Sequence, residues 1–289
     1  MSNNIFFERG QMADKPNNYL WNGDCLELMQ DIPDKSMDAI ICDLPYGTTQ
    51  NKWDSVIPLD LMWKEYERII KDNGAIVLFS DSIFTAKLML SNEKLFRYEL
   101  VWDKVVPSGF LNANRMPMRR HENILLFYKK LPIYNKQMQP RNPNAHSLGK
   151  VENYTKSKGK EEQSNYGVIN DKKINEIKDY SLKNPDSILE FTKGNSRGKY
   201  KKLHPTQKPV ELLKYLVRTY TNENDWVLDN TCGSNTTGIA CYDLNRNYIG
   251  IEKDIDIYNV AKKRVEENIL LRANKPKTLF DDKPELYCT

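Results

Sequence analysis

Short apolar runs alternate with helix-period segments along most of this chain, and four of the runs stop at a polar or acidic tip. Residues 18–22 end at Gly23-Asp24, residues 38–42 at Asp43-Leu44-Pro45-Tyr46, residues 226–228 at Asp229 and residues 248–251 at Glu252. Further runs at 75–79, 98–102 and 124–128 bring the predicted strands to seven. Helical patterns fall at 25–30, at 61–71 with Gly74 as its stop, at 83–90, from Pro209 onward, at 236–244 and at 257–270. Strands separated by helices demand an α/β fold: a doubly wound, mostly parallel sheet covered on both faces. Sheets of that kind bind ligands beyond the carboxyl ends of their strands, so the four tips predict one crevice.

The charge is unevenly spread over the 289 residues. Between Lys129 and Lys202 there are 17 Lys/Arg and 8 Asp/Glu, a net of +9, while the rest of the chain carries −5. Apolar periodicity also fades there, in stretches such as "KVENYTKSKGKEEQSNYG". These features divide the chain into residues 1–128, a loop-rich insert at 129–203, and residues 204–289. A basic insert on a mildly acidic body points to a polyanionic partner, because Lys and Arg displace counterions from phosphates.

Other classes lose support. No stretch approaches the roughly 18 apolar residues that span a bilayer, and Met1-Ser2-Asn3-Asn4 lacks a basic region followed by an apolar core, so a cytoplasmic chain without a secretory signal is expected. Cys25, Cys42, Cys232, Cys241 and Cys288 include no C-x-x-C pair, and His121, His146 and His204 are scattered. Reduced, packed cysteines and no metal site are expected.

Two segments carry chemistry. "DNTCGSNTT", residues 229–237, reads as strand, tight turn and helix, a geometry that lets a ligand lie against backbone N–H groups. Glu252, at the next strand end, suits two ribose hydroxyls. Either feature alone is weak. Together "GDCLELM", "DLPYG", "HPTQKP" and "DNTCGSNTTGIA…IGIEKD" occur in that order, and the whole resembles the beta class of DNA amino-methyltransferases over most of residues 18–270 apart from the insert. The tip at 43–46 is similar to that family's D-P-P-Y motif, and 229–237 to its D-P-F-x-G-S-G-T-T loop. The acid tip precedes the loop, with the recognition region between, which is the beta-class order; protein glutamine methyltransferases place their tetrapeptide after the loop. Leu44 stands for the first proline, Asn230 for another, and Asn235 for the second glycine. Leucine keeps the backbone carbonyl, and asparagine tolerates left-handed backbone.

The resemblance implies S-adenosyl-L-methionine as methyl donor and double-stranded DNA as partner. It implies catalysis by Asp43, Leu44, Pro45 and Tyr46, with no role for Cys42 beyond packing. On the cofactor it implies Asp24 and Cys25 near the adenine ring, and Thr206 and Lys208 at the methionine carboxylate, aided by Ser234, Thr236 and Thr237. Glu252 holds the ribose, and Asp43, Asp229, Cys232, Gly233 and Lys253 complete the set. DNA contacts fall to Arg115, Arg119, Arg120 and His121, and to the insert, with Arg197 and Lys199 among its basic residues. An aspartate at 43 favours adenine N6 methylation over cytosine N4; methylation of cytosine or of RNA, and a DNA-binding relative without catalysis, stay open. Family members often work beside a cognate restriction enzyme or stand alone in phage genomes. The sequence leaves both open, as it does a homodimer.

Overall fold

The apolar runs become strands and the periodic segments become helices, in a computed structural model that describes residues 18–47, 55–141, 182–193 and 207–273. The strands are β1 (Asn18–Asn22), β2 (Met37–Asp43), β3 (Ile70–Ser80), β4 (Phe96–Ser108), β5 (Arg119–Phe127), β6 (Gln139–Pro140), β7 (Leu182–Lys183), β8 (Ile188–Glu190), β9 (Trp226–Asp229) and β10 (Asn247–Glu252). The helices are α1 (Cys25–Leu28), α2 (Leu59–Ile69), α3 (Ser82–Ser91), α4 (Val210–Tyr220), α5 (Thr236–Asp243) and α6 (Ile255–Ala273). The chain divides into one unit of Met1–Asn135 with Ser187–Pro276 and another of Lys136–Asp186 with Lys277–Thr289. Among the described residues the second unit contributes the antiparallel pair β6–β7. No helix among them is long and apolar enough to cross a membrane.

The first unit holds one sheet in the order β1-β10-β9-β2-β3-β5-β4-β8. It has eight strands where the sequence predicts seven; the added strand, β8, pairs parallel to β4 through Val101↔Ile188 and Asp103↔Glu190. β1, β10, β9, β2 and β3 run parallel, and β5 runs antiparallel to both β3 and β4. Alternation puts Ile40 and Cys42 of β2 into a core cluster with Met62, Tyr66 and Ile69 of α2. Ala39 and Ile41 are equally buried, and α4 also packs against β2. Both faces of the central strand are therefore covered, as near-continuous apolar runs require.

One local expectation fails. Gly74 does not stop a helix; α2 ends at Ile69, β3 begins at Ile70, and Gly74 lies inside that strand. A Cβ there would stand 2.9 Å from the Asp38 carbonyl oxygen and 2.6 Å from the Ile70 side chain. Close approach of β2, rather than a helix end, is what demands glycine at this position.

Parallel pairing sets the position of the tips. Ala39 pairs with Val227, Gly250 with Asp229, and Asn22 with Glu252. Asp24, Asp43, Asp229 and Glu252 consequently come to one edge of the sheet.

Candidate active site

Asp43 is the last residue of β2, and its carboxylate is held from two sides. Tyr46 donates its hydroxyl to Oδ1 at 2.8 Å, and the Lys208 ammonium donates to Oδ2 at 2.6 Å. Thr231, in the turn after β9, donates its hydroxyl to the Asp43 carbonyl at 3.0 Å and so ties the two strand ends together. Leu44 is buried behind the tip, and the Tyr46 ring packs against Phe84 at 5.2 Å. Lys208 also meets Glu122 Oε2 at 3.2 Å, and Glu122 Oε1 pairs with Lys104 at 2.9 Å. Lys104, Glu122, Lys208 and Asp43 thus form a chain of alternating charge, boxed by rings: the Lys208 ammonium is 5.1 Å from the Phe79 ring and 5.9 Å from those of Tyr46 and Trp102.

Neighbouring charge overcomes burial in this chain. Burial alone would lower the pKa of Lys208, but the Asp43 and Glu122 carboxylates hold it above its ordinary value. Burial alone would raise Glu122; Lys208 and Lys104 bring it below the usual carboxylate range. Burial and the Asp43 charge push the Tyr46 phenol well up, so it stays a donor to the carboxylate.

The turn after β9 forms the facing wall. Asn235 adopts φ 62° and ψ 45° at the start of α5, the left-handed geometry in which asparagine can replace glycine. Its side chain folds over the first turn, where a Cβ on Gly238 would lie 2.3 Å from Asn235 Oδ1. Asn230 accepts hydrogen bonds from the Tyr66 hydroxyl at 2.5 Å and the Cys42 thiol at 3.0 Å. Cys42 therefore braces this turn from below, beyond filling space. Glu252 accepts from the backbone N–H of Gly233 at 3.0 Å and of Asp254 at 2.8 Å, and burial raises its pKa. Asp24 caps α1 through the Leu26 N–H and pairs with Lys253 at 3.0 Å. Cys25 and Cys232 are buried, and burial raises both thiols. The hydroxyls of Ser234 and Thr236 lie within 3.2 and 3.0 Å of the Arg264 guanidinium, which also donates to the Ser234 carbonyl at 2.7 Å. In this structure those hydroxyls brace the turn against α6.

Asp229 is fully enclosed beneath the turn, and burial raises its pKa from 3.8 to about 7 despite hydrogen bonds with Thr237 and Cys42. The folded chain keeps a proton that the unfolded chain releases. Its contribution to stability is therefore greatest below pH 3.8 and declines as pH rises through about 7. Asp229→Asn is expected to remove this decline, on the order of a few kcal/mol. Melting temperatures across that range check it; parallel profiles for wild type and variant would show that Asp229 is not the group that titrates.

Between the two walls lies a cleft of about 740 Å³ lined by Asp24, Asp43, Glu122, Asp229, Glu252 and Asp254 against three lysines. With Asp229 set aside because burial raises its pKa, the other five carboxylates still outnumber the three lysines, an excess that suits a cationic ligand. Two features are open among the described residues: Gly233, at φ 52°, has nothing within 4 Å of where a Cβ would stand, and buried Asn230 Nδ2 has no hydrogen-bond partner. The first leaves room for a ligand against backbone, and the second is a donor on the cleft wall.

Residues 37–263 match the DNA methylase family of N6 and N4 methyltransferases. The chain belongs to that family. It is 31% identical over 275 residues to the type II methyltransferase M.BglII from Bacillus subtilis, covering 87% of this chain and 71% of that protein. It is 26% identical to the DNA adenine methyltransferase YhdJ of Escherichia coli K12, covering 85% and 81%. Among solved structures, the PvuII cytosine-N4-specific DNA methyltransferase superposes with a TM-score of 0.61 at 17% identity, covering 90% of this chain and 92% of that one. The M1.HpyAVI–SAM complex does so with 0.54 at 24%, covering 86% and 98%. Likeness at these identities shows a shared fold.

In this DNA methylase the residues expected at the DNA cluster at the β4–β5 hairpin. Arg115, Arg119, Arg120 and His121 are exposed. Arg119 pairs with Asp81, and Arg120 with Asp103 at 2.6 Å. Thr206, Arg197, Lys199 and His204 lie outside the described residues. Sequence reasoning missed Glu122, Lys104, Thr231 as the link between strands, and Arg264. A signal did exist for Lys104, set between Val101-Trp102-Asp103 and Val105-Val106 in a strand-length segment, because a buried ammonium requires a carboxylate. Only strand pairing identifies that carboxylate as Glu122.

Proposed function

We propose that this DNA methylase moves a methyl group from S-adenosyl-L-methionine to the exocyclic N6 amine of an adenine flipped out of duplex DNA. One juxtaposition supports it: the Asp43 tip and the 229–237 turn share one sheet edge, joined by the hydrogen bond from Thr231 to the Asp43 carbonyl. The acid-lined cleft, open Gly233 and spare Asn230 donor fit the cofactor. When bound, the cofactor supplies a methyl carbon on a positively charged sulfur. Asp43 accepts one amine proton and the Leu44 carbonyl the other, which draws the nitrogen out of conjugation and turns its lone pair towards the cleft. An ionised carboxylate has about four acceptor sites, so Tyr46 and Lys208 leave Asp43 room for the amine. With the cofactor bound, the N–C bond would form as the methyl–sulfur bond breaks, the sulfur keeping the electron pair as a neutral thioether, and the surplus proton on the amine would depart along the Asp43 hydrogen bond. Tyr46 stacks on the extruded base and offsets part of its unstacking. Lys208 and Glu122 fix the acid in position; Glu252 receives the ribose hydroxyls. The type II names of relatives support a cognate restriction enzyme as biological partner, in the cytoplasm.

Methyl transfer from tritiated cofactor, followed by nucleoside analysis of the DNA, tests this. Label in N6-methyladenine is expected. Label in N4-methylcytosine or in RNA would replace the substrate, and absence of label together with calorimetrically silent cofactor binding would leave a DNA-binding protein without catalysis. Modified-base sequencing of DNA from expressing cells identifies the methylated site.

A further inference from the structure

The hairpin between β4 and β5 ends in an exposed apolar tip. Phe110 is 76% exposed, Leu111 86%, Val106 65% and Met116 58%. Large apolar side chains grouped at one exposed point mark an interaction site more often than a random surface. The tip is also internally bonded. Phe110–Asn112 form a 3-10 turn in which the Asn112 N–H donates to Gly109 at 3.0 Å and the Ala113 N–H to Phe110 at 3.0 Å, and the Arg115 N–H closes on Asn112 at 2.8 Å. Its side chains are therefore presented on a set backbone.

The occupant follows from charge and position. Residues 105–120 contain three arginines, Arg115, Arg119 and Arg120, and no carboxylate. An apolar point collared by guanidinium groups matches stacked bases between phosphates better than it matches a second protein surface. Register supplies the position. Asn123 of β5 pairs with Ser80, the last residue of β3, and Phe79 pairs with Asp43. β5 runs on from Asn123 to Arg119, so the hairpin rises roughly 14 Å past the strand end at 3.4 Å per residue. The tip thus stands over the edge that carries Asp43.

We infer that Phe110 and Leu111 form a wedge that enters the duplex at the target step and fills the space left when the adenine swings into the cleft. Arg115 meets a flanking phosphate, and Arg119 and Arg120 exchange their ion pairs with Asp81 and Asp103 for phosphates as the hairpin docks. This rests on the base-flipping reading above. An inserted ring replaces stacking that extrusion removes, so it matters most where the target is properly paired.

The test compares wild type with Phe110→Ala/Leu111→Ala on two duplexes of the methylated sequence, one fully paired and one with an abasic site opposite the target adenine. Loss of about tenfold or more in kcat/KM on the paired duplex, with near-wild-type rates on the abasic one, is expected from base–aromatic stacking. Equal loss on both, or none on either, overturns the wedge. So does a wild-type dimer that becomes monomeric in the variant, since a second copy would then be what the tip covers. If wild type methylates nothing, the methyltransfer reading fails by itself. The wedge is then decided by sealing a nicked plasmid in the presence of protein, where wild type must lower the linking number and the variant must not; equal topology would overturn it.

Discussion

Asp43→Ala is expected to lose methyl transfer by roughly a hundred- to a thousandfold while keeping the fold and cofactor binding, the loss seen when one group positioned for the transition state is removed. The adenine amine is nearly planar, with its lone pair spread into the ring. A carboxylate accepting one of its protons favours the pyramidal nitrogen that the reaction needs, and the effect grows as positive charge develops there. Stability should change little. The Asp43 side chain is 31% exposed, and Lys208 retains Glu122 as a partner. The Tyr46 hydroxyl loses an acceptor but lies near the cleft, where water can replace it. Turnover, a melting curve and cofactor calorimetry on the same preparation check the result. Wild-type turnover would remove Asp43 from the chemistry, whereas a collapsed melting curve would make its role structural.

The strand tips were legible because each is a local event, an apolar run that stops at an acid. Their arrival at one edge was legible through topology, since parallel strands joined by helices put all carboxyl ends together. Asn235 was legible from backbone preference, and its φ of 62° agrees. The missed elements depend on partners distant in sequence. β8, Ile188–Glu190, sits in a charged, aperiodic stretch and is a strand because the edge of β4 is open to it. Gly74 looked like a helix stop after Lys71-Asp72-Asn73, and only the approach of the Asp38 carbonyl shows why glycine is required. The charge chain was the least legible feature. Its members lie on β2, β4, β5 and the segment before α4, and nothing near Lys208 in sequence announces a buried ammonium.

That chain supports a role for Lys208 in holding Asp43, beside the cofactor role its motif implies, and Lys208→Met separates the two. Were Lys208 a partner of the cofactor's carboxylate, removing its ammonium would forfeit a charge-assisted hydrogen bond of about 1.5–3 kcal/mol, roughly ten- to a hundredfold in affinity. In this structure the ammonium is occupied by Asp43 at 2.6 Å and Glu122 at 3.2 Å inside a ring of aromatics, with a side chain only 11% exposed. Methionine fills the same apolar box but leaves two carboxylates facing each other, with Lys104 beside only one of them. Cofactor affinity should therefore hold or tighten slightly, because the ligand is cationic and one positive charge has gone. Turnover should fall at least tenfold as Asp43 loses its orientation, because misplacing a reacting group by about 1 Å can cost on the order of a hundredfold. Breaking a buried ion pair should also cost about 3 kcal/mol of stability. Lys208→Arg, which restores the charge with a broader head, should recover stability before turnover. A Lys208→Met protein with wild-type kcat and cofactor binding weakened tenfold would return Lys208 to the carboxylate and leave Asp43 held by Tyr46 and Thr231 alone.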